Sequence, residues 1–355
     1  MAKQREMKMN GSLHPAETAL YQNVFGYQPT SVIPLPKSGS SRVYFRLHGP
    51  QSSSVILCRS DNVEENRVFI ELCNAFYDSG LNVPKIIAVA DDFKSYLQSD
   101  LGSLSLYDLV TDKIVDTYGV TSLKPETAVL TERTLNELIR FQSLPSKEWK
   151  DKVGFPPLGS ELINYDFRYF LDQFVIPSGI KFDEIGVLHD LESFGDCLQN
   201  YPEEISGFMY RDFQSRNVML VHSDSKQTPT PFFIDFQSGR KGPCVYDLVS
   251  FVWQAKAAYS EAERNRFVTR YAEHFAKVNK IPEELILDSV PLWASFRVMQ
   301  VLGAYGLRGL KEKKQHFIDS IPYAVNNLYS LFSSEPMNKY SFLLALSESL
   351  LKKFS

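Results

Sequence analysis

Two stretches constrain this chain more than any others. One is Arg211-Asp212-Phe213-Gln214-Ser215-Arg216-Asn217, and the other is Phe232-Phe233-Ile234-Asp235-Phe236-Gln237. Between them lie an apolar run, Val218-Met219-Leu220-Val221, and a polar turn, Ser223 to Thr230. Apolar run, polar turn and apolar run together predict a β-hairpin with Asn217 and Asp235 at neighbouring strand ends. A carboxylate able to hold and deprotonate a hydroxyl, an amide oxygen five residues on and a second carboxylate past a hairpin are the parts of a phosphoryl-transfer site. Asp212 is therefore the candidate catalytic base. Asn217 and Asp235 are the candidate Mg²⁺ ligands, because that cation prefers hard oxygen atoms. The Asp-x-x-x-x-Asn spacing is common in loops when taken singly, and the following hairpin gives it weight. Tyr210 stands where the protein-kinase signature carries His.

Strands and helices segregate along the chain. Val43 to Leu47 alternates as a strand should, and Val55 to Arg59, Val83 to Val89 and Ser95 to Gln98 read as further strands. Among them Val63 to Ser79 carries Phe69, Leu72, Cys73 and Phe76 at helical spacing and stops at Gly80. From Ser105 onward helices dominate: Leu104–Thr111, Ala128–Ser143, Phe167–Phe174, Leu188–Tyr201, Asp247–Tyr259, Ser260–Val278, Leu292–Lys314 and Ile321–Phe332. The expected class is α+β, a bilobal protein-kinase-like plan. Residues 1–100 would form the nucleotide-binding lobe and 101–355 the catalytic and substrate-binding lobe, and 355 residues suffice for both cores. The net charge of −4 gives no basic field for nucleic acid. Cys58, Cys73, Cys197 and Cys244 lack metal or redox spacing and are expected to be reduced. No secretory signal is read at the N-terminus. No run is read as long enough to span a membrane, since Arg297 and Gln300 interrupt Leu292–Leu307. The expected location is cytoplasmic, and oligomeric state is not legible.

Ser38-Gly39-Ser40-Ser41, between two strands, can turn backbone N–H groups and hydroxyls toward phosphate, although alone it is an ordinary hairpin turn. Arg59 ends a strand where kinases place Lys. It reads equally as a phosphate-gripping cation paired to Glu64, Glu65 or Glu71, or as an exposed strand-end residue. Gln98 and Asp100, in the expected linker Gln98 to Gly102, complete the candidate nucleotide contacts with Glu65.

At these motifs the chain resembles the aminoglycoside phosphotransferase and choline kinase superfamily. Within it, the chain is most similar to bacterial anomeric kinases of N-acetylmuramate and N-acetylglucosamine. The resemblance includes Ser40 to Arg46, Gly80 to Pro84, Gln98 to Gly102, the Arg211–Asn217 loop, Ile234 to Gln237, Tyr246-Asp247-Leu248-Val249-Ser250 and Gln300 to Gly303. It implies ATP or GTP with Mg²⁺, and the stated roles for Asp212, Asn217 and Asp235. It also implies a structural Asp247 that starts a helix beneath the loop, where an N-cap is the plain reading. Gln214 stands where these sugar kinases often have His.

The short segment Ser238 to Pro243 leaves no room for a protein-substrate activation loop. Phe213, Gln214, Arg216 and Gln237 are the candidate substrate contacts. Amide and cationic groups suit sugar hydroxyls, an N-acetyl group or a carboxylate. The expected partner is a small molecule, an N-acetylated amino sugar. An aminoglycoside or choline-type acceptor, or a nucleotide-binding regulator with a kinase fold, is the alternative.

Overall fold

The computed structural model describes residues 12–36, 42–117, 119–222 and 228–354. The chain divides into two compact units. The first comprises residues 1–104, 147–154 and 219–237, and the second 105–146, 155–218 and 238–355.

The first unit is built on an antiparallel sheet of β1 (Ser31–Pro34), β2 (Val43–His48), β3 (Ser54–Arg59), β4 (Ile86–Val89) and β5 (Ser95–Ser99). The strand order is β1-β2-β3-β5-β4. Alternation sends successive side chains to opposite faces. Phe45, Leu47, Val55, Leu57 and Leu97 pack with Tyr21 of the helix Pro15–Phe25. Tyr96, next to Leu97, stacks at 5.6 Å on Phe69 of the helix Val63–Asp78. That helix buries Phe69, Leu72, Cys73 and Phe76, as its spacing predicts. Asn62 caps it by accepting from the Glu65 N–H at 3.2 Å. It ends at Gly80, whose φ of +74° few other residues tolerate. Phe236 enters the same core, 5.0 Å from Phe69, just beyond the hairpin of Val218–Val221 and Thr230–Phe233.

The second unit is mainly helical. Its helices include Pro125–Gln142, Ser160–Phe170, Glu184–Gln199, Val245–Val252, Glu261–Asn279, Val290–Tyr305, Ile321–Phe332 and Ser341–Phe354. The last was not expected from the sequence. The predicted helix Asp247–Tyr259 is shorter than expected, ending at Val252 before a 3₁₀ turn at Ala255–Ala257. Two of the predicted helices change winding near their ends, at Leu171–Val175 and Gly306–Lys311. Gly306 explains the closeness of these segments, since a Cβ there would lie 2.0 Å from the Gln173 carbonyl oxygen. Ser238–Pro243, read as a bare connection, contains a strand, Arg240–Pro243, paired antiparallel with Ser206–Met209. The helical stretch Glu284–Lys311 is long and apolar enough to cross a bilayer, contrary to the sequence expectation, but 61% of its most apolar window is buried inside the protein. The four cysteines are free thiols.

Candidate active site

The loop Tyr210–Asn217 belongs to the second unit and leaves the strand Ser206–Met209. Its backbone turns sharply at Arg211, whose φ of +78° is left-handed and costs a non-glycine residue on the order of 1 kcal/mol. The surroundings impose that turn. Asp247, fully buried, accepts the Tyr210 N–H at 2.7 Å and the Arg211 N–H at 2.9 Å. Its Oδ2 also accepts from Gln142 Nε2 at 3.1 Å. Asp247 lies inside the helix Val245–Val252, whose N-cap is Cys244, so it is a backbone clamp and not the N-cap read from sequence. Burial pushes its carboxyl up to about 7, against the pull of these three donors.

The Arg211 side chain turns inward and pairs with Asp166 at 2.6 Å, both partners being nearly fully buried. The following residue, Asp212, is partly exposed, with its Oδ1 3.9 Å from Arg297 Nη2. The alternation of the loop therefore buries the anchor and presents the carboxylate. Asn217 Nδ2 donates to the Asp212 carbonyl at 2.9 Å, closing the loop on itself. Asp166 and Arg297 were not singled out by the sequence reading as site residues. A charged residue in an otherwise apolar helix face is the signal that marks both.

The expected substrate contacts separate on inspection. Phe213 is fully buried and packs 5.3 Å from Phe251, as a core residue does. Gln214 lines a small cavity with Trp253, Arg297, Val301 and Tyr305. Arg216 is exposed and lies 3.6 Å over the Tyr107 ring. Gln237 belongs to the first unit and is 6% exposed. Its Nε2 donates to Asp235 Oδ1 at 2.9 Å and to Glu65 Oε1 at 3.2 Å. Gln237 is therefore tied to Asp235 and Glu65 within the first unit.

Asp235, like Arg211, adopts a left-handed conformation, with φ +69°. Its neighbour Glu65 also pairs with Arg42 at 3.2 Å. Arg42 is buried at 2% exposure. Burial works against its charge, but Tyr96, Tyr44, Cys58 and Glu65 outweigh that and raise its pKa. Arg59 is thus not the partner of Glu64, Glu65 or Glu71. It donates to Glu17 Oε1 at 2.5 Å and to the Ser12 carbonyl at 3.1 Å, and it lies 4.9 Å from the Phe45 ring. No spacing rule links residues 17 and 59, and only the packing of the helix Pro15–Phe25 on the sheet brings them together. Asp100 is likewise paired within the first unit. Its two oxygens accept from Arg46 at 2.6 and 3.0 Å, and Oδ1 also takes the Gly102 N–H at 2.9 Å. Gln98 is buried at 8% exposure within β5. Ser38 to Ser41 lie outside the described residues.

Asn217 and Asp235 offer hard oxygen atoms of the kind Mg²⁺ takes. Among the described residues no group of three His, Cys, Asp or Glu side chains converges as a ready-made metal site.

The chain is 23% identical over 313 residues to the N-acetylmuramate/N-acetylglucosamine kinase of Pseudomonas aeruginosa, covering 87% of this chain and 86% of that protein. The protein of the same description from Pseudomonas putida is 22% identical over 311 residues, covering 84% and 83%. Among solved structures, the GDP and kanamycin complex of APH(2")-IIia superposes with a TM-score of 0.60 at 15% identity, covering 90% of this chain and 99% of that one. A Plasmodium vivax ethanolamine kinase gives 0.58 at 12% identity, covering 87% and 84%. These likenesses show an α+β kinase-like fold. The phosphotransferase enzyme family model matches residues 31–281. Because that match takes in both the sheet and the Asp212 loop, the chain belongs to the phosphotransferase enzyme family, enzymes that move a phosphoryl group onto an alcohol group of a small molecule.

Proposed function

We propose that this enzyme transfers the γ-phosphoryl group of ATP or GTP to a hydroxyl of an N-acetylated amino sugar, at the anomeric position. The observation that carries the acceptor class is the immediate setting of Asp212. Cations surround it in the second unit, with Arg297 at 3.9 Å, and Gln214 lies two residues along. A polycationic acceptor would need acids there, while a sugar needs hydrogen-bonding groups. The amino-sugar kinases similar to this chain over most of its length support the same class.

In this reading Asp212 holds the acceptor hydroxyl and takes its proton as the oxygen–phosphorus bond forms. The bond between the γ-phosphorus and the bridging oxygen breaks, and the nucleoside diphosphate leaves. A hydroxyl is a weak nucleophile, so positioning and charge stabilisation supply most of the rate. Asn217 and Asp235 would hold Mg²⁺, which neutralises phosphate charge when bound. Gln237 and the Arg42–Glu65 pair hold Asp235 in place. A nucleoside triphosphate co-substrate suits a cytoplasmic location.

Phosphorus NMR of reactions with N-acetylmuramate, N-acetylglucosamine, kanamycin and choline tests the proposal. A sugar 1-phosphate from either amino sugar is expected. Turnover of kanamycin or choline with neither amino sugar would overturn it, and nucleotide binding with no turnover of any acceptor would point to a nucleotide-binding regulator.

A further inference from the structure

Arg211 and Arg297 are both buried, and both lie near the Tyr246 ring, at 5.1 and 5.6 Å. They differ in their counter-charge. Arg211 has the Asp166 carboxylate at 2.6 Å. Arg297, 7% exposed, has only neutral hydrogen-bond partners among the described residues. Its Nη1 donates to the Tyr246 hydroxyl at 3.3 Å and to the Gln300 side-chain oxygen. Its Nε is buried without a partner. The Asp212 carboxylate is 3.9 Å away, beyond hydrogen-bonding distance, and the Asp247 carboxyl, held by Tyr210, Arg211 and Gln142, feels the charge of Arg297 only at a distance. A permanent cation held nine-tenths out of water without a bonded anion is costly, and such a group is retained where an anion completes it.

The space for that anion adjoins the cation. A cavity of about 40 Å³ has Arg297, Gln214, Ser250 and Gln254 among its polar lining and Val301 and Ala324 among its apolar lining. It has room for a substituent of a few heavy atoms and not for a second sugar ring. We infer that Arg297 and this cavity form an anion subsite for the acceptor, which selects an amino sugar bearing a short carboxylate substituent over one that lacks it. The inference rests on the amino-sugar reading above. N-acetylmuramate meets the description, since its lactyl group offers a methyl for the apolar wall and a carboxylate for the guanidinium. N-acetylglucosamine has only a hydroxyl at that ring position. With the acceptor hydroxyl on Asp212 and the carboxylate on Arg297, one sugar is held at two points, and Arg297 no longer competes for the carboxylate that must take the proton.

The test compares kcat/KM for N-acetylmuramate, its methyl ester and N-acetylglucosamine in the wild type, Arg297→Gln and Arg297→Lys. Wild type should favour N-acetylmuramate, and the methyl ester should lose that advantage. Arg297→Gln should lower the N-acetylmuramate to N-acetylglucosamine ratio by about 10- to 100-fold, mainly through KM, with Arg297→Lys restoring part of it. Equal losses for both sugars would overturn the inference and leave Arg297 acting only on Asp212 or on the fold. So would a loss of nucleotide affinity with the sugar ratio unchanged, which would place a nucleotide phosphate at Arg297. If Arg297→Gln does not fold, the Lys variant and the methyl ester decide the question. Turnover of neither sugar would sink the functional proposal instead. Calorimetry with N-acetylmuramate would then judge the subsite: binding that depends on Arg297 upholds it, and absence of binding overturns it.

Discussion

In the loop Tyr210–Asn217 one fully buried carboxylate, Asp247, fixes the backbone by taking two consecutive N–H groups. In the first unit three guanidinium–carboxylate pairs, Arg59–Glu17, Arg46–Asp100 and Arg42–Glu65, fix side chains instead. The two devices suit different tasks. Consecutive amides aimed at one carboxylate hold φ and ψ, so they can impose the left-handed turn at Arg211. Ion pairs between distant residues hold whole elements together, here a helix or a linker against a strand. The first device is buried and intolerant of change. The second is partly solvated at several members and correspondingly weaker.

The largest effect that would break this contrast lies at Asp212, the residue the clamped loop presents. Asp212→Asn is expected to lower kcat by about 10²- to 10⁴-fold while nucleotide affinity stays nearly intact. Steady-state kinetics with calorimetry of the nucleotide checks it, and an unchanged kcat would remove Asp212 from the chemistry.

Asp247→Asn tests the clamp itself. The amide keeps one accepting oxygen, so one buried N–H of Tyr210 or Arg211 is left unmatched, costing about 1–3 kcal/mol of stability. Chemical denaturation measures this, and kcat should fall with it because the loop relaxes. The pH dependence has a definite sign. The folded Asp247 carboxyl sits at about 7, above its ordinary 3.8, so the folded state binds the extra proton. Its contribution is complete below about 4 and is lost as pH rises through about 7. The melting temperature of the wild type relative to Asp247→Asn should therefore decline across that window and level off above it.

The smallest effect is expected in the first unit. Glu17→Gln weakens the pairing with Arg59 but keeps an oxygen for it and for the Ser95 hydroxyl, which lies at 3.0 Å. A loss on the order of 1 kcal/mol in urea denaturation is expected, with little change in kcat. Burial pushes the Glu17 carboxyl up, but Arg59, the His14 N–H and Ser95 outweigh it and leave it lowered. Its contribution is therefore present above the ordinary value of 4.5 and lost as pH falls through the lower folded value. A large kcat loss in Glu17→Gln would show that Arg59 serves the nucleotide after all.

Much of the fold was legible because periodicity is local. Phe69, Leu72, Cys73 and Phe76 mark a helix face whatever they pack against, and Phe45 with Leu47 marks a strand face. Boundaries were less legible where two elements merge or a helix changes its winding, as at Leu171–Val175 and Gly306–Lys311. The hairpin between Asn217 and Asp235 could be read directly from its two apolar runs. The surroundings of Phe213 and Gln237 were not legible, because sequence proximity to a reactive residue does not say which way a side chain points. One is core, and the other props Asp235.

The sequence alone determined the segregation of strands and helices, the loop chemistry and the likeness to small-molecule phosphotransferases, because each depends on residues close together in the chain. Only the tertiary structure decided which charge meets which. It gave Arg59 to Glu17, Arg46 to Asp100, Arg42 to Glu65 and Arg211 to Asp166, and it left Arg297 with no carboxylate within hydrogen-bonding distance. Pairing of that kind follows from the packing of elements 23 to 54 residues apart. Coulombic attraction selects a partner by distance in space, which the order of residues along a chain does not encode.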